Sequence, residues 1–404
     1  MQQRPISRRM LFTFAGGSGH LEPLIPLARA AEAKRHSVAF AGRPWMVPLV
    51  EAAGFPAFVA GSDAGLTPER LPLADADLDQ DMRDVGSGFG GRIARERAAD
   101  ILSLCAQWRP DLLVCEEFDF GAMVVAERLG LPHATVLVSA TGAFVRPELV
   151  AGPLDEVRAE HGLPGDHSLA MLGRYLVLTP FPPSLRDPAF PLPTTAHHLR
   201  LLTPAAGPEE AAAPWSTPHG GAPTVYFTLG TVYNMESGDL FQRMLAGLRE
   251  LPIDLIVTVG RDLDPDELGP QPANVHIERF VPEATLLPHC DLVVSHAGSG
   301  SVLGALAHGL PMVLLPIGAD QPLNAARCQA LGVAEVLDAV GATPEMVRAA
   351  VSRVLADAGF RGRAQRLRHE IAALPGPEHA VTLLERLASK RAPLRPGSTE
   401  RRAR

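Results

Sequence analysis

Short apolar runs alternate along the chain with stretches whose apolar positions recur every three to four residues. In the first half the runs fall at 10–15, 37–41, 111–115, 133–139 and 175–179, with helical spacing at 24–34, 92–108 and 122–129. In the second half they fall at 224–229, 254–258, 275–280, 291–295 and 312–315, with helical spacing at 302–308, around 360–374 and at 378–389. Runs with so little polar interruption predict strands buried on both faces, and their alternation with helices predicts parallel sheets covered on both sides. Between 61 and 91 the pattern fades into Gly, Asp and Leu without periodicity, which predicts a long mobile segment. The stretch 204–223, PAAGPEEAAAPWSTPHGGAP, has the composition of a linker. The expectation is an α/β chain of two domains, and 404 residues suit two units of roughly 200 each.

Composition narrows the function classes. The net charge is −8, and no cluster of Lys and Arg marks a nucleic-acid surface. Arg4, Arg8 and Arg9 precede an apolar stretch too short for a secretory leader, so this stretch is expected to be the first buried strand. No apolar run approaches the roughly 20 residues of a membrane span. Cys105, Cys115, Cys290 and Cys328 show neither disulfide nor metal spacing, which predicts reduced thiols in a cytoplasmic protein. The acidic stretches 75–81 and 262–266 lack a ligand pattern and are expected to be solvated loops. The tail 390–404, KRAPLRPGSTERRAR, is basic and broken by Pro, and it predicts disorder.

Candidate chemistry concentrates at two places where a strand run ends in small residues. In the second half, the run 291–295 passes through His296-Ala297-Gly298-Ser299-Gly300-Ser301 into a helical pattern. Small residues there leave backbone N–H groups for an anion, and the helix dipole favours negative charge. The next strand end presents Asp320, Gln321 and Asn324, a carboxylate and two amides suited to a hydroxyl-rich ligand. A diphosphate beside a sugar is a nucleotide sugar. In the first half, Gly16-Gly17-Ser18-Gly19 leads from the first strand to His20, which opens a helix at the strand ends, where ligands of open α/β sheets bind. A neutral imidazole there can take a proton from an attacking hydroxyl. Such a base is helped by a carboxylate that fixes its tautomer. Glu116 and Asp119, both at the end of the run 111–115, are candidates, whereas Asp111 opens that strand as a turn residue.

Together these motifs resemble the family 1 nucleotide-sugar-dependent glycosyltransferases of GT-B fold. Within them, the chain is most similar to the actinobacterial enzymes that attach deoxysugars to antibiotics and other aromatic or macrocyclic products. The resemblance covers nearly the whole chain. It implies two Rossmann-like parallel-sheet domains facing a deep interdomain cleft. An N-terminal acceptor-binding domain at 1–203 would be joined by the linker 204–223 to a donor-binding domain at 224–374, with a helix at 375–389 crossing back. It implies His20 as the base, places the family's usual supporting acid on Glu116 with Asp119 as competitor, and puts the acceptor pocket at 61–91 and after Ser139.

For the donor, the resemblance implies Gly17 and Ser18 in the first half, and Thr228, Gly230 and Thr231 beside the phosphates and sugar. Phe280, Val281 and Pro282 would bind the base, His296, Gly298, Ser299, Gly300 and Ser301 the diphosphate, and Asp320, Gln321 and Asn324 the sugar. Plant members carry a ribose-binding Glu eight residues after that His, where this chain has Gly304, a departure that favours dTDP over UDP. The implied activity is inverting, metal-independent hexosyl transfer from a dTDP- or UDP-sugar to a hydrophobic small-molecule acceptor in antibiotic or secondary-metabolite biosynthesis. The nucleoside diphosphate sugar is the co-substrate, with no metal and no other cofactor, no nucleic acid, no membrane span, and a homodimer as an allowed state.

Rival activities fit less well. In a nicotinamide- or flavin-dependent oxidoreductase the third glycine of the first turn would fall where Glu22 stands, and the second strand would end in an acid rather than Ala41-Gly42-Arg43. The later glycines, Gly298, Gly300 and Gly304, are one residue out of that register. A lipid-linked cell-wall glycosyltransferase would need a membrane-facing patch that no stretch supplies. A nucleotide-sugar epimerase would share the fold and change the reaction. A binding protein with a surviving donor site would need no base, and His20 with a nearby carboxylate argues against it.

Overall fold

The computed structural model describes residues 7–64, 70–201, 221–230 and 234–397. Thr231 and most of the expected linker lie outside them. The chain divides into two units, Met1–Leu66 with Asp79–Thr203 and Leu374–Arg404, and Thr67–Leu78 with Pro204–Ala373.

The first unit holds a seven-stranded parallel sheet of β1 (Arg9–Thr13), β2 (Ser37–Gly42), β3 (Ala57–Val59), β4 (Leu112–Glu116), β5 (His133–Val136), β6 (Leu176–Thr179) and β7 (Ala196–His198). Its order is β3-β2-β1-β4-β5-β6-β7. The second unit holds a six-stranded parallel sheet of β8 (Thr224–Thr228), β9 (Asp254–Thr258), β10 (Val275–Glu278), β11 (Leu292–Ser295), β12 (Met312–Leu314) and β13 (Ala334–Val336). It runs β10-β9-β8-β11-β12-β13. In both, the chain winds outward from the first strand and returns to the other side of it. β1 therefore lies beside β4, with Thr13 opposite Cys115, and β8 beside β11, with Thr228 opposite Ser295. Ligands of open α/β sheets bind at such reversals, outside the carboxyl ends of the strands.

Central strands such as β4, β8, β9 and β11 are wholly buried because helices cover both faces, which is why they read as unbroken apolar runs. One face of the first sheet packs Met10, Phe12, Val114 and Leu178 against Ala380, Val381, Leu384 and Leu387 of the helix Pro377–Lys390. His36 and Glu385 add a 3.0 Å contact. The tail does not become irregular at 390 as the sequence predicts. Arg391 turns the chain at φ 50°, and Leu394 is buried in the same core, its N–H donating to Tyr175 O at 2.8 Å. One leucine among basic residues and prolines is enough to anchor that segment. Residues 398–404 lie outside the described residues.

Two further expectations change. Residues 70–78 belong with the second unit rather than with 1–203. Leu71 N–H donates to Met235 O at 2.9 Å, Leu73 packs on that unit's core, and Arg70 pairs with Glu267. The segment 61–91 is not a loop throughout. A helix starts at Leu78–Asp84, widens into a π-helix at Val85–Ile93 and continues as Ala94–Trp108. π-helical spacing breaks the 3.6-residue repeat, so the pattern looks aperiodic in the sequence. The glycines of VGSGFGG serve packing, since a Cβ on Gly86 would lie 2.3 Å from Leu149 O and one on Gly90 3.2 Å from Val150. They let the helix Pro147–Glu160 approach. Among the described residues no helix is long and apolar enough to cross a membrane.

Candidate functional site

At the reversal of the first sheet, the chain leaves β1 through Gly16 and Gly17 into a single helical turn, Ser18–Leu21. Gly17 is its N-cap residue, and its carbonyl accepts from His20 N at 3.0 Å. Ser18 starts the turn. This aims the His20 ring back over Gly16, where a Cβ would lie 2.2 Å from it, so only glycine fits there. His20 Nδ1 lies 3.0 Å from Glu116 Oε2 at the end of β4. Glu116 is fully buried and has each oxygen occupied: Oε1 accepts from Ala15 N at 3.0 Å, and Oε2 accepts from Phe118 N at 2.9 Å. A carboxylate so fixed holds the proton on Nδ1 and leaves the acceptor lone pair on Nε2.

The geometry separates the two acidic candidates. Asp119 does not reach His20. Its carboxylate caps the helix Phe120–Arg128 through Ala122 N and pairs with Arg97, whose Nε donates to Oδ1 at 2.8 Å. Both side chains are fully buried, and Arg97 also donates to the carbonyls of Ala41 and Ala60. Asp119 thus ties β2, β4 and the helix Ala94–Trp108 together. The neighbouring Glu117 points elsewhere, accepting from Val138 N and Ser139 N, and burial pushes its pKa up.

Aromatic rings surround the imidazole. Phe118 meets it edge-on at 5.3 Å, Phe89 lies parallel at 6.0 Å, and Phe144 follows at 6.4 Å from Phe118. Phe89 comes from the π-helix and Phe144 from the stretch after Ser139. Both segments expected around an acceptor therefore contribute a ring, while Phe118 carries no sequence signal beyond following a strand. π-helical turns are rare and recur at functional sites.

At the reversal of the second sheet, His296 and Ala297 follow β11, and Gly298 caps the helix Ser299–Ala307. The His296 ring fits only because two glycines face it. A Cβ on Gly230 would lie 2.6 Å from it and one on Gly298 2.5 Å. Burial lowers its pKa to about 4, so the ring is neutral near pH 7. Its Nδ1 is buried without a partner among the described residues. A Cβ on Gly300 would meet nothing within 4 Å, so the space beside the first turn of this helix is open at that point.

Ala297 and Ala319, at φ 68° and 52°, hold left-handed conformations uncommon outside glycine, one at each strand-end turn. Ser299 Oγ donates to Asp320 Oδ2 at 2.6 Å and joins the two turns. Asn324, expected at the sugar, is instead fully buried. Its amide donates to Ala297 O, Ser299 Oγ and Asp320 Oδ2, each at 3.0 Å, and locks the strained turn. Gln321 spends its carbonyl oxygen on Ile317 N and Gly318 N. Thr228 is buried beside Thr258, and its hydroxyl accepts from Gly230 N at 3.2 Å. Phe280 is 48% exposed with Arg261 4.9 Å over its ring, a flat platform at the edge of the site. Val281 is buried in the core, and Pro282 precedes a short helix, Glu283–Leu286.

The open position at Gly304 is not what the sequence suggests. Glu283 reaches it from another element, with Oε2 2.8 Å from where a Gly304 Cβ would stand and Oε1 accepting from Ser301 Oγ at 3.0 Å. Inferring a missing carboxylate from Gly304 therefore fails. A carboxylate stands beside Gly304 all the same, from a residue 21 positions earlier in the chain.

Residues 242–387 match the family described as the C-terminal domain of erythromycin biosynthesis protein CIII-like proteins. The 4'-demethylrebeccamycin synthase of Lentzea aerocolonigenes is 30% identical over 425 residues, covering 94% of this chain and 99% of its own. The TDP-daunosamine transferase DnrS of Streptomyces peucetius is 28% identical over 430 residues, covering 95% and 98%. Among solved structures, the glycosyltransferase SnogD from Streptomyces nogalater matches with a TM-score of 0.74 at 26% identity, over 95% of this chain and all of its own.

Proposed function

This chain belongs to the actinobacterial antibiotic glycosyltransferases of GT-B fold, and from that premise we propose an inverting, metal-independent transfer of a deoxysugar from a dTDP donor to a hydrophobic natural product. His20 Nε2 takes the proton of an acceptor hydroxyl as its oxygen attacks the anomeric carbon. The bond from that carbon to the diphosphate breaks, and the leaving charge falls on the N-terminus of the helix Ser299–Ala307, where preorganised N–H groups meet it. Asp320 and the amide nitrogen of Gln321 hold the sugar, Asn324 keeps the turn in shape, and Phe280 takes the base. Phe89, Phe118 and Phe144 give the acceptor an aromatic wall beside the catalytic imidazole.

The observation that carries this reading is the His20–Glu116 pair at one sheet reversal, matched at the other by a glycine-rich helix start with open space beside Gly300. The dTDP donor is supported by the name of the daunosamine transferase relative, which specifies a TDP-linked sugar. Thermal denaturation with dTDP, UDP and NAD tests it. At about 100 times its Kd, a ligand of the native state adds about 2.7 kcal/mol and should raise melting by roughly 5–10 °C. The largest shift is expected with dTDP and none with NAD. A shift with NAD alone would replace the transferase reading by a redox one.

A further inference from the structure

We propose that Glu283 reads the pentose of the donor nucleotide, accepting a hydrogen bond from its 3′-hydroxyl. The assignment rests on the donor reading above. It starts from where a nucleotide's parts must lie. With the base on the Phe280 platform and the diphosphate at the Gly298–Ser301 turn, the pentose falls between them. Glu283 directly follows the platform segment, and its carboxylate lies against the first two turns of the phosphate helix, beside Ser301 and Gly304. It is half-buried, and burial pushes its pKa up while the Ser301 hydrogen bond opposes that shift. A desolvated carboxylate seeks donors. Among the described residues Ser301 supplies one to Oε1, and no protein donor reaches Oε2. One oxygen is thus left to accept, which suits the single ring hydroxyl of a 2′-deoxypentose. Gly304 makes the arrangement possible, since any side chain there would displace Oε2.

Titration calorimetry with dTDP and 2′,3′-dideoxythymidine diphosphate separates this role from a structural one. The two ligands share base and diphosphate and differ only in the 3′-hydroxyl. Wild type should bind dTDP more tightly by about 10- to 100-fold, the range for a hydrogen bond to a charged group. Glu283→Gln should narrow that ratio by about tenfold, acting on dTDP and leaving the dideoxy ligand nearly unchanged. Gly304→Ala should do the same without altering charge, because its methyl group pushes the carboxylate aside. It also guards against a folding defect in the first variant. Equal weakening of both ligands would mean that Glu283 only braces Ser301. A wild-type ratio near one would remove the hydroxyl contact. Either result overturns the assignment while leaving the donor reading intact. If wild type binds neither nucleotide, the donor reading itself falls and the assignment with it.

Discussion

Glu116→Gln tests the base and its partner at one atom. Oε1 accepts from Ala15 N, while Oε2 accepts from Phe118 N and meets His20 Nδ1. An amide offers one oxygen. Turned toward Phe118 and His20, it keeps both contacts and sets its NH2 against the Ala15 N–H; turned the other way, it loses two. The first orientation wins, and a single buried donor left unsatisfied costs about 1–3 kcal/mol of stability. His20 keeps its place and tautomer, but its partner is now neutral. A hydrogen bond to a charged group is worth about 1.5–3 kcal/mol and to a neutral one about 0.5–1.5, so the imidazolium loses about 1–1.5 kcal/mol, roughly tenfold in turnover.

His20→Ala removes the base outright, with an expected loss on the order of 10²–10⁴-fold. Asp119→Asn is the control, since it leaves Arg97 buried without its counter-charge, at about 3–5 kcal/mol of stability. The assay is release of nucleoside diphosphate from a dTDP-sugar with an aromatic or macrocyclic acceptor, read beside the melting temperature of each variant. A Glu116→Gln enzyme that melts lower yet turns over within about threefold of wild type would make Glu116 a brace for the turn and nothing more. His20→Ala within the same limit would place the base elsewhere.

Other outcomes follow from the same geometry. Gly16→Ala puts a methyl group where the His20 ring stands, so turnover should fall toward the His20→Ala level while dTDP affinity, by calorimetry, stays within about threefold. His296 has a folded-state pKa of about 4 against an ordinary 6.5, so the unfolded chain binds the extra proton between those values. Stability should therefore drop as pH falls through that window, by about 3 kcal/mol from this group, and urea midpoints of His296→Gln should lack that component. Turnover should survive excess EDTA if the helix N-terminus meets the leaving charge, and loss restored by magnesium or manganese would refute that role.

The sheets were legible because each buried strand leaves a contiguous signature. The missed strands β3, β7 and β13 lie at sheet edges and are only partly buried, so they lack the apolar run that the equally short but fully buried β12 leaves. The π-helix was hidden because its spacing and its glycines both imitate a loop. His20 and the turn 296–301 stood out because each is a local motif at a strand end. Contacts between distant positions left no trace. Nothing near Asp119 announces Arg97 22 residues earlier, and nothing near Gly304 announces Glu283. Asn324 fits a sugar ligand by residue type, yet its buried amide nitrogen is spent on Ala297, Ser299 and Asp320, contacts that no local pattern announces.

The strand-end turns of the two units are built alike and tuned apart. Each places a histidine after a strand at a sheet reversal, and each clears room for the ring with glycine, Gly16 for His20 and Gly230 with Gly298 for His296. The surroundings then diverge. His20 meets a buried carboxylate, which stabilises the positive charge a base acquires when it takes a proton. His296 has no such partner among the described residues, and burial alone holds it neutral. A neutral imidazole can donate one hydrogen bond to a diphosphate without gaining a proton that would have to be discharged each turn. Moving a carboxylate to the second histidine would favour a cation in a site that burial keeps neutral. Removing it from the first would leave the attacking hydroxyl's proton on an unsupported ring. In the proposed mechanism, acid–base work therefore falls to the first unit and charge reception to the second, by environment rather than by residue type.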